Sequence, residues 1–377
     1  MFNFWRSRSP KAPFPISNKA ARSWLRLAEA ALAASLPAFT GMALAGCNGA
    51  ETLSSESPAL RGSPSGEAFT SLGAGRAGSW MVRDAANIKE LIYASDGADV
   101  NVYDYSTARQ VGSLSGFNNP YGQCVDKRGD VFLTTSIGSE GSVLEYAHGG
   151  SNPIKTFNTD GNPIGCSISP ANGDLAVDNG AFGVTSDVQI WRRASGEPVS
   201  YTNQHDCNAM WPPGYDDRGD LFIETGNYHS VCELRVNGTS LVAVEFDHDI
   251  GFPGSVMWDG RYLAFTDQEY PGKTHNYTAA IYRAKLERGV LEVVGTTLLR
   301  YKPCGTEIAQ PFIVGEKNTP ANNVEGKVVV GGNQACGEFS EYTTPLTYWR
   351  YPKRGQPFKF VHPHPDGITG QSVSILP

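Results

Sequence analysis

"KRGDVFL" occupies Lys127–Leu133 and "DRGDLFI" occupies Asp217–Ile223, with "NGDLAV" at Asn172–Val177 between them. The tripeptide Arg-Gly-Asp, beginning at Arg128 and again at Arg218, has two readings. An adhesion motif needs the arginine. A hairpin turn needs only the glycine and a polar neighbour. The middle copy keeps Gly173 and Asp174 but carries Asn172 in place of arginine, so it decides for the turn. The three copies return at roughly 45-residue intervals, a period typical of architectures in which each repeat is one small sheet.

The sequence around each turn agrees. "VFLTTS", "GSVLEYA" and "PIKTFNT" follow the first turn, "LAVDN", "DVQIWRR" and "PVSYTN" the middle one, and "LFIETG", "VCELRV" and "LVAVEF" the last. Each run is short, alternating or wholly apolar, and bounded by Gly, Asn, Ser or Pro, as strands are. Two further units begin at "GSVMWD" and "PFIVGE". Pro120–Gly122, Pro163–Gly165, Pro212–Gly214 and Pro253–Gly254 open the first strands, with Pro311 at the matching place in the next unit. A sixth opening, Pro365–Gly367, precedes only "QSVSILP". The first unit, "LIYASDG", "VNVYDYS" and "QVGSLSG", has three strands and lacks one. The spacing therefore predicts an all-β, six-bladed β-propeller over residues 90–377. In it Ser372–Leu376 supplies the inner strand of blade one beside Leu91–Ser95, which leaves no open sheet edge at the seam.

The N-terminal part is different in kind. Residues 1–28 carry Arg6, Arg8, Lys11, Lys19, Arg22 and Arg26 and no acid, and "AALAASLPAFTGMALAGC" follows, ending at Cys47. A basic region, an apolar run and small residues make up an export signal, here residues 1–47. Its end, "LAGC" at Leu44–Cys47, resembles a bacterial lipobox. That resemblance implies a diacylglycerol on the Cys47 sulfur, export, and attachment to a membrane of the cell envelope. Residues 48–89 are rich in Gly, Ser and Pro and read as a disordered, flexible linker, with Trp80 and Met81 near its end docking on the domain that follows. The net charge is −7, and no long basic run lies beyond the leader, which excludes nucleic acid as a partner.

The units "VDKRGDVFLTTS…GSVLEYA" and "LIYASDGADVNVYDY" resemble NHL-type repeats and the bacterial six-bladed propellers grouped with gluconolactonases and regucalcin. The resemblance covers about residues 90–377. It implies a fold more than a function, because such propellers include lactonases, lyases and pure binding proteins. A gluconolactonase-type enzyme implies a divalent cation, usually calcium, held by Glu, Asn and Asp, with the Asn and Asp inside the Pro-x-Gly openings. Here the middle residues are Tyr121, Ile164 and Pro213, Pro253–Gly254 has none, and only Asp366 fits. A hard cation needs several oxygens, so that catalytic set goes unmatched. The expectation is an exported, lipid-anchored monomer without a cofactor, a binding or scaffold module for an unknown small molecule or protein at the channel mouth. The alternative is a metal-dependent lactonase-type hydrolase that uses calcium.

Candidate site residues follow from the strand ends. Asp96, Asp178, Glu224 and Asp267 close the second strands of four units. Gathered at one mouth they form a negative rim for a cation or basic ligand; separately, each caps the turn that follows. Trp211 and Tyr228, in irregular loops with Tyr270, either line a sugar- or peptide-binding mouth or pack over blade ends. No histidine stands in a Gly-x-Ser-x-Gly or His-Glu-x-x-His context, and "HPHP" at His362–Pro365 reads as a surface loop. Apart from Cys47 six cysteines remain, an even number that suggests disulfides in an exported chain. The topology favours Cys304 with Cys336, Cys124 with Cys166, which open adjacent inner strands, and Cys207 with Cys232; buried free thiols are the other reading.

Overall fold

The computed structural model describes residues 78–377 except 138–139, 181–185, 227–229, 269–277, 303–304, 307, 309, 315–326, 334–344 and 362–367. Among the described residues the regular elements are β-strands and two three-residue 3-10 turns, Ala85–Asn87 and Arg192–Ala194.

The chain begins with β1 (Trp80–Met81), β2 (Glu90–Ser95), β3 (Val100–Asp104) and β4 (Gln110–Leu114). A four-stranded antiparallel meander follows: β5 (Gln123–Val125), β6 (Val131–Ile137), β7 (Glu140–Tyr146) and β8 (Pro153–Thr159). The next has β9 (Gly165–Ile168), β10 (Leu175–Asn179), β11 (Asp187–Trp191) and β12 (Val199–Tyr201). Two more meanders are β13 (Gly214–Tyr215), β14 (Leu221–Glu224), β15 (Ser230–Leu234) and β16 (Val242–Phe246), then β17 (Pro253–Trp258), β18 (Leu263–Asp267), β19 (Ala279–Glu287) and β20 (Val290–Leu299). After them come β21 (Phe312–Val314), β22 (Lys327–Gly332), β23 (Leu346–Tyr351) and β24 (Lys359–Val361), and last β25 (Gly370–Ile375).

The final strand returns to the beginning. β25 pairs antiparallel with β2 from Glu90↔Ile375 to Ser95↔Gly370, giving a five-stranded sheet in the order β1-β4-β3-β2-β25. This is the closing strand expected from the orphan opening. The outermost strand, β1, lies inside the stretch read as linker. Trp80 pairs with Ser113 and Met81 with Gly112, where the absent side chain makes room for the Met81 sulfur. Two residues are too few to show a strand period, so composition alone assigned them to the linker.

The expected count of six separate sheets is met in part. Four sheets stand alone, and β13 to β20 form a single eight-stranded sheet, because β16 and β20 pair in parallel at Glu245↔Val290 and Phe246↔Leu291. The two halves also pack face to face, through Phe222, Val231 and Phe246 against Val256, Phe265 and Tyr282. Comparable apolar layers join the other neighbours: Leu91 and Val102 to Val131 and Leu133, Phe132 and Phe157 to Leu175 and Trp191, and Ala176 and Ile190 to Tyr215 and Ile223. Ala264 and Ile281 meet Val329 and Trp349, and Val330 and Tyr348 meet Ile92 and Val373. The arrangement is all-β and propeller-like, with the core distributed between sheets.

Two of the three turns that announced the fold share one construction, and the middle one differs, with Asp174 N donating to Asn172 Oδ1 at 3.0 Å. Asp126 Oδ1 accepts from the backbone N–H groups of Arg128 (2.8 Å) and Asp130 (3.0 Å). Asp216 Oδ1 accepts from Arg218 and Asp220, both at 2.9 Å. Gly129 and Gly219 take φ of +86° and +89°, a region that side chains disfavour. Arg128 and Arg218 fold back onto Asp126 and Asp216, each through Nε at 2.9 Å. The motif is thus a carboxylate-held hairpin.

Two disulfides are formed, Cys124–Cys166 with Cα atoms 5.5 Å apart and Cys207–Cys232 at 5.9 Å. The first staples the inner strands β5 and β9 of neighbouring sheets. Cys304 and Cys336 lie outside the described residues.

Candidate functional site

The inner strands converge on glycines. A Cβ on Gly370 would lie 2.0 Å from Tyr121 O, and one on Gly122 would lie 2.3 Å from Ile164 O and 2.5 Å from Gly165 Cα. One on Gly165 would lie 2.5 Å from Pro212 Cβ. Backbone therefore packs directly on backbone where other residues would interpose side chains. From another sheet, Gln310 Nε2 donates to Ile164 O at 3.1 Å, and Gln310 Oε1 lies 2.8 Å from where a Gly122 Cβ would be. Inner segments of separate sheets thus touch one another directly at these positions.

Beside this collar runs a neutral, buried polar network. Gln123 Nε2 donates to Ser95 Oγ at 2.7 Å and to Gly370 O at 3.3 Å, and Ser372 Oγ donates to Gln123 Oε1 at 2.8 Å. Gln371 Oε1 accepts from Gly332 N at 3.0 Å, while its Nε2 is buried without a partner. Sequence reasoning passed over these residues. Their signal was the repeated Gly-Gln pair, Gly122–Gln123 and Gly370–Gln371, at two strand openings.

The four strand-end acids are buried, and each has its own surroundings. Asp96 holds a turn: Oδ1 accepts from Ala98 and Asp99 N–H at 3.2 and 2.8 Å, and Oδ2 from Asn101 Nδ2 at 2.8 Å. Asp267 accepts from Gly251 and Phe252 N–H, both at 3.0 Å. Glu224 Oε2 accepts from Gly254 N at 2.6 Å, and its Oε1 makes no hydrogen bond of ordinary geometry, although the Thr266 amide favours the carboxyl's charge. Burial pushes the Glu224 carboxyl well above its ordinary range, against the pull of the Gly254 N–H, and the nearby Asp267 charge pushes the same way. Asp178 is the extreme case. The amides of Asp178 and Gly165 favour its charge, yet neither oxygen makes a hydrogen bond, and burial drives its pKa well up. An uncompensated buried carboxylate is costly when ionised, and that cost is the cause of this shift.

Trp211 is buried, edge-on to Phe252 at 5.2 Å, with its backbone N–H on Glu224 O. Tyr228, Tyr270, His362, His364 and Asp366 lie outside the described residues, as does Cys47. Among the described residues no three His, Cys, Asp or Glu side chains converge as a metal ion requires. Asp267 has both oxygens engaged by backbone N–H groups, whereas both Asp178 oxygens and Glu224 Oε1 are not.

No protein-family model matches the chain, and no curated protein matches it in sequence. Solved structures match in shape. A protein of unknown function from Bacteroides caccae is similar with a TM-score of 0.53 at 12% identity, over 76% of this chain and 99% of that one. A chain of the nidogen/laminin complex is similar with a TM-score of 0.50 at 13% identity, over 76% of this chain and 98% of that one. At such identities the likeness shows the fold alone, and with the sheet arrangement it defines a β-propeller.

Proposed function

We propose that this chain is an exported, lipid-anchored, six-bladed β-propeller that acts as a non-catalytic binding or scaffold module in the cell envelope. The count of six takes the eight-stranded sheet as two blades, which its face-to-face halves support. The observation that supports the binding reading is the tight packing of the inner strands, where Gln310 reaches across to Ile164 O against the close-packed glycines. A ligand is taken at the mouth or on a face of the propeller. Anchoring rests on "LAGC" at Leu44–Cys47, with acylation of Cys47.

The competing reading, a calcium-dependent lactonase-type hydrolase, draws on the bare oxygens of Asp178 and Glu224. Thermal melts with and without calcium separate the two. A cation at about ten times its Kd adds ~1.4 kcal/mol of stability. An unchanged melting temperature and no lactone hydrolysis are expected. A calcium-dependent rise together with hydrolysis overturns the non-catalytic reading.

A further inference from the structure

The outermost strand of the last sheet reverses the usual alternation. Lys359 lies between Phe358 and Phe360, and an edge strand ordinarily turns its lysine to water and its rings to the core. Here Lys359 Nζ folds inward, donating to Tyr105 O at 2.9 Å and Ser106 O at 2.8 Å and standing 5.0 Å above the Tyr348 ring. Phe358 and Phe360 are left 48% and 51% exposed. Single exposed valines or isoleucines on other outer strands, such as Ile154 and Val242, need no explanation. Two phenylalanines displayed while a lysine is turned in do.

Cations surround them. Arg350 lies over the Phe358 ring at 5.0 Å, and Lys353 and Arg354 are exposed in the turn before it. The end of β20 brings two more. Arg300 N donates to Gly355 O at 3.1 Å and Lys302 N to Gln356 Oε1 at 3.1 Å, which sets the exposed Arg300 and Lys302 beside the same turn. Tyr301 faces Phe360 at 6.4 Å between ring centres. From Pro345 to Val361 there is no acidic residue, nor any from Leu298 to Lys302, in a chain of net charge −7. Asp104 of the first sheet acts on the inward Lys359.

We infer that this edge seats on an anionic lipid surface, the two phenylalanines entering the headgroup boundary and the ring of arginines and lysines pairing with lipid phosphates. Apolar rings flanked by cations are what an interfacial contact needs, since burial of the rings and attraction to the charged surface add. The contact does not depend on the acylation proposed at Cys47, and the experiment separates the two.

The chain carrying Cys47→Ala, which removes the acyl site, is sedimented with vesicles of equal parts phosphatidylglycerol and phosphatidylcholine, and with phosphatidylcholine alone. Binding to the anionic vesicles is expected. Arg350→Gln/Lys353→Gln/Arg354→Gln lowers the partition coefficient about fivefold per cation, about a hundredfold in all. Phe358→Ser/Phe360→Ser removes the part of the binding that survives high salt. All the substituted positions are exposed, and unchanged melting temperatures confirm that the variants fold. Because the basic leader is common to every variant, partition that neither set of substitutions changes overturns the proposal. So does variant-sensitive binding to heparin or an oligonucleotide without binding to vesicles, which makes the edge a site for soluble polyanions. Failure of the parent protein to incorporate acyl chains removes the anchor and leaves this contact standing.

Discussion

His148 Nδ1 lies 2.5 Å from Ser374 Oγ across 226 positions of sequence, and the same imidazole places Nε2 2.6 Å from Ile88 O. Ser374 is on the closing strand β25, Ile88 precedes β2, and His148 sits in the turn between β7 and β8. Nε2–H donates to Ile88 O, which can only accept, and the Nδ1 contact with Ser374 Oγ completes the ring's two bonds. Ser374 Oγ also contacts Gly129 O, inside the first Arg-Gly-Asp turn. One histidine thus ties the chain's last strand and its first sheet to the second sheet.

Removing that tie leaves Ile88 O without its partner, while Ser374 Oγ keeps Gly129 O. His148→Ala is expected to destabilise the fold by about 1–3 kcal/mol, the cost of one orphaned buried group. Denaturant unfolding of parent and variant measures the difference, and a change below about 0.5 kcal/mol would mean that the tie does not hold in solution.

The same residue sets a pH dependence. Burial holds the His148 pKa below its ordinary value, although Ile88 O and Asp130 oppose this. The unfolded chain then binds the proton more readily than the folded one. The His148 contribution is full above the ordinary histidine pKa of about 6.5 and is lost as pH falls through the lower folded value. In thermal melts the stability advantage of the parent over His148→Gln should shrink as pH falls from neutral to mildly acidic.

Asp178 and Glu224 have the opposite sign. Their folded pKa values are raised by burial, so their carboxyls carry no ionisation penalty below the ordinary carboxylate range and destabilise the fold progressively as pH rises above about 4. Asp178→Asn and Glu224→Gln should raise the melting temperature at neutral pH and leave it nearly unchanged at acidic pH. The side-chain amide that Glu224→Gln introduces keeps a carbonyl oxygen to accept from Gly254 N. Destabilisation of both variants at neutral pH would instead mean that the carboxylates hold a cation.

The collar makes a steric prediction. Gly122→Ala puts a methyl group against Ile164 O and Gly165 Cα, both backbone, so the inner strands must separate. A cost of roughly 1–3 kcal/mol is expected from overpacking of this kind. Arg128→Ala, at an exposed side chain paired with Asp126, Asp130 and Glu145, should cost under about 1 kcal/mol. Parallel unfolding curves compare the two.

Much of the fold was legible because the repeat is written in turn chemistry. Asp126, Arg128 and Gly129 recur as Asp216, Arg218 and Gly219, and one local geometry serves both. The closing strand was legible from the unmatched opening after Pro365, and Cys124–Cys166 from its place on adjacent inner strands. The joining of β16 to β20 was not, because parallel pairing of two outer edges depends on how closely the meanders splay. The strand-end acids were found, but their burial was hidden, since an Asp at a strand end reads alike whether it caps a turn, as Asp96 does, or stands unpaired, as Asp178 does. The inward Lys359 ran against its alternation, and a sequence pattern cannot report its own exception.

The central claim is that the C-terminal strand closes the ring, and truncation tests it most directly. Deleting Gly370–Pro377 removes β25, the burial of Val373 and Ile375, and the Ser374 partner of His148. At ~1.5–3 kcal/mol per buried aliphatic side chain, before lost strand pairing, this takes much of a typical stability of about 5–15 kcal/mol. The truncated chain is expected to aggregate or to melt far below the parent. A monomeric, folded truncation with an unchanged melting temperature would contradict ring closure by β25.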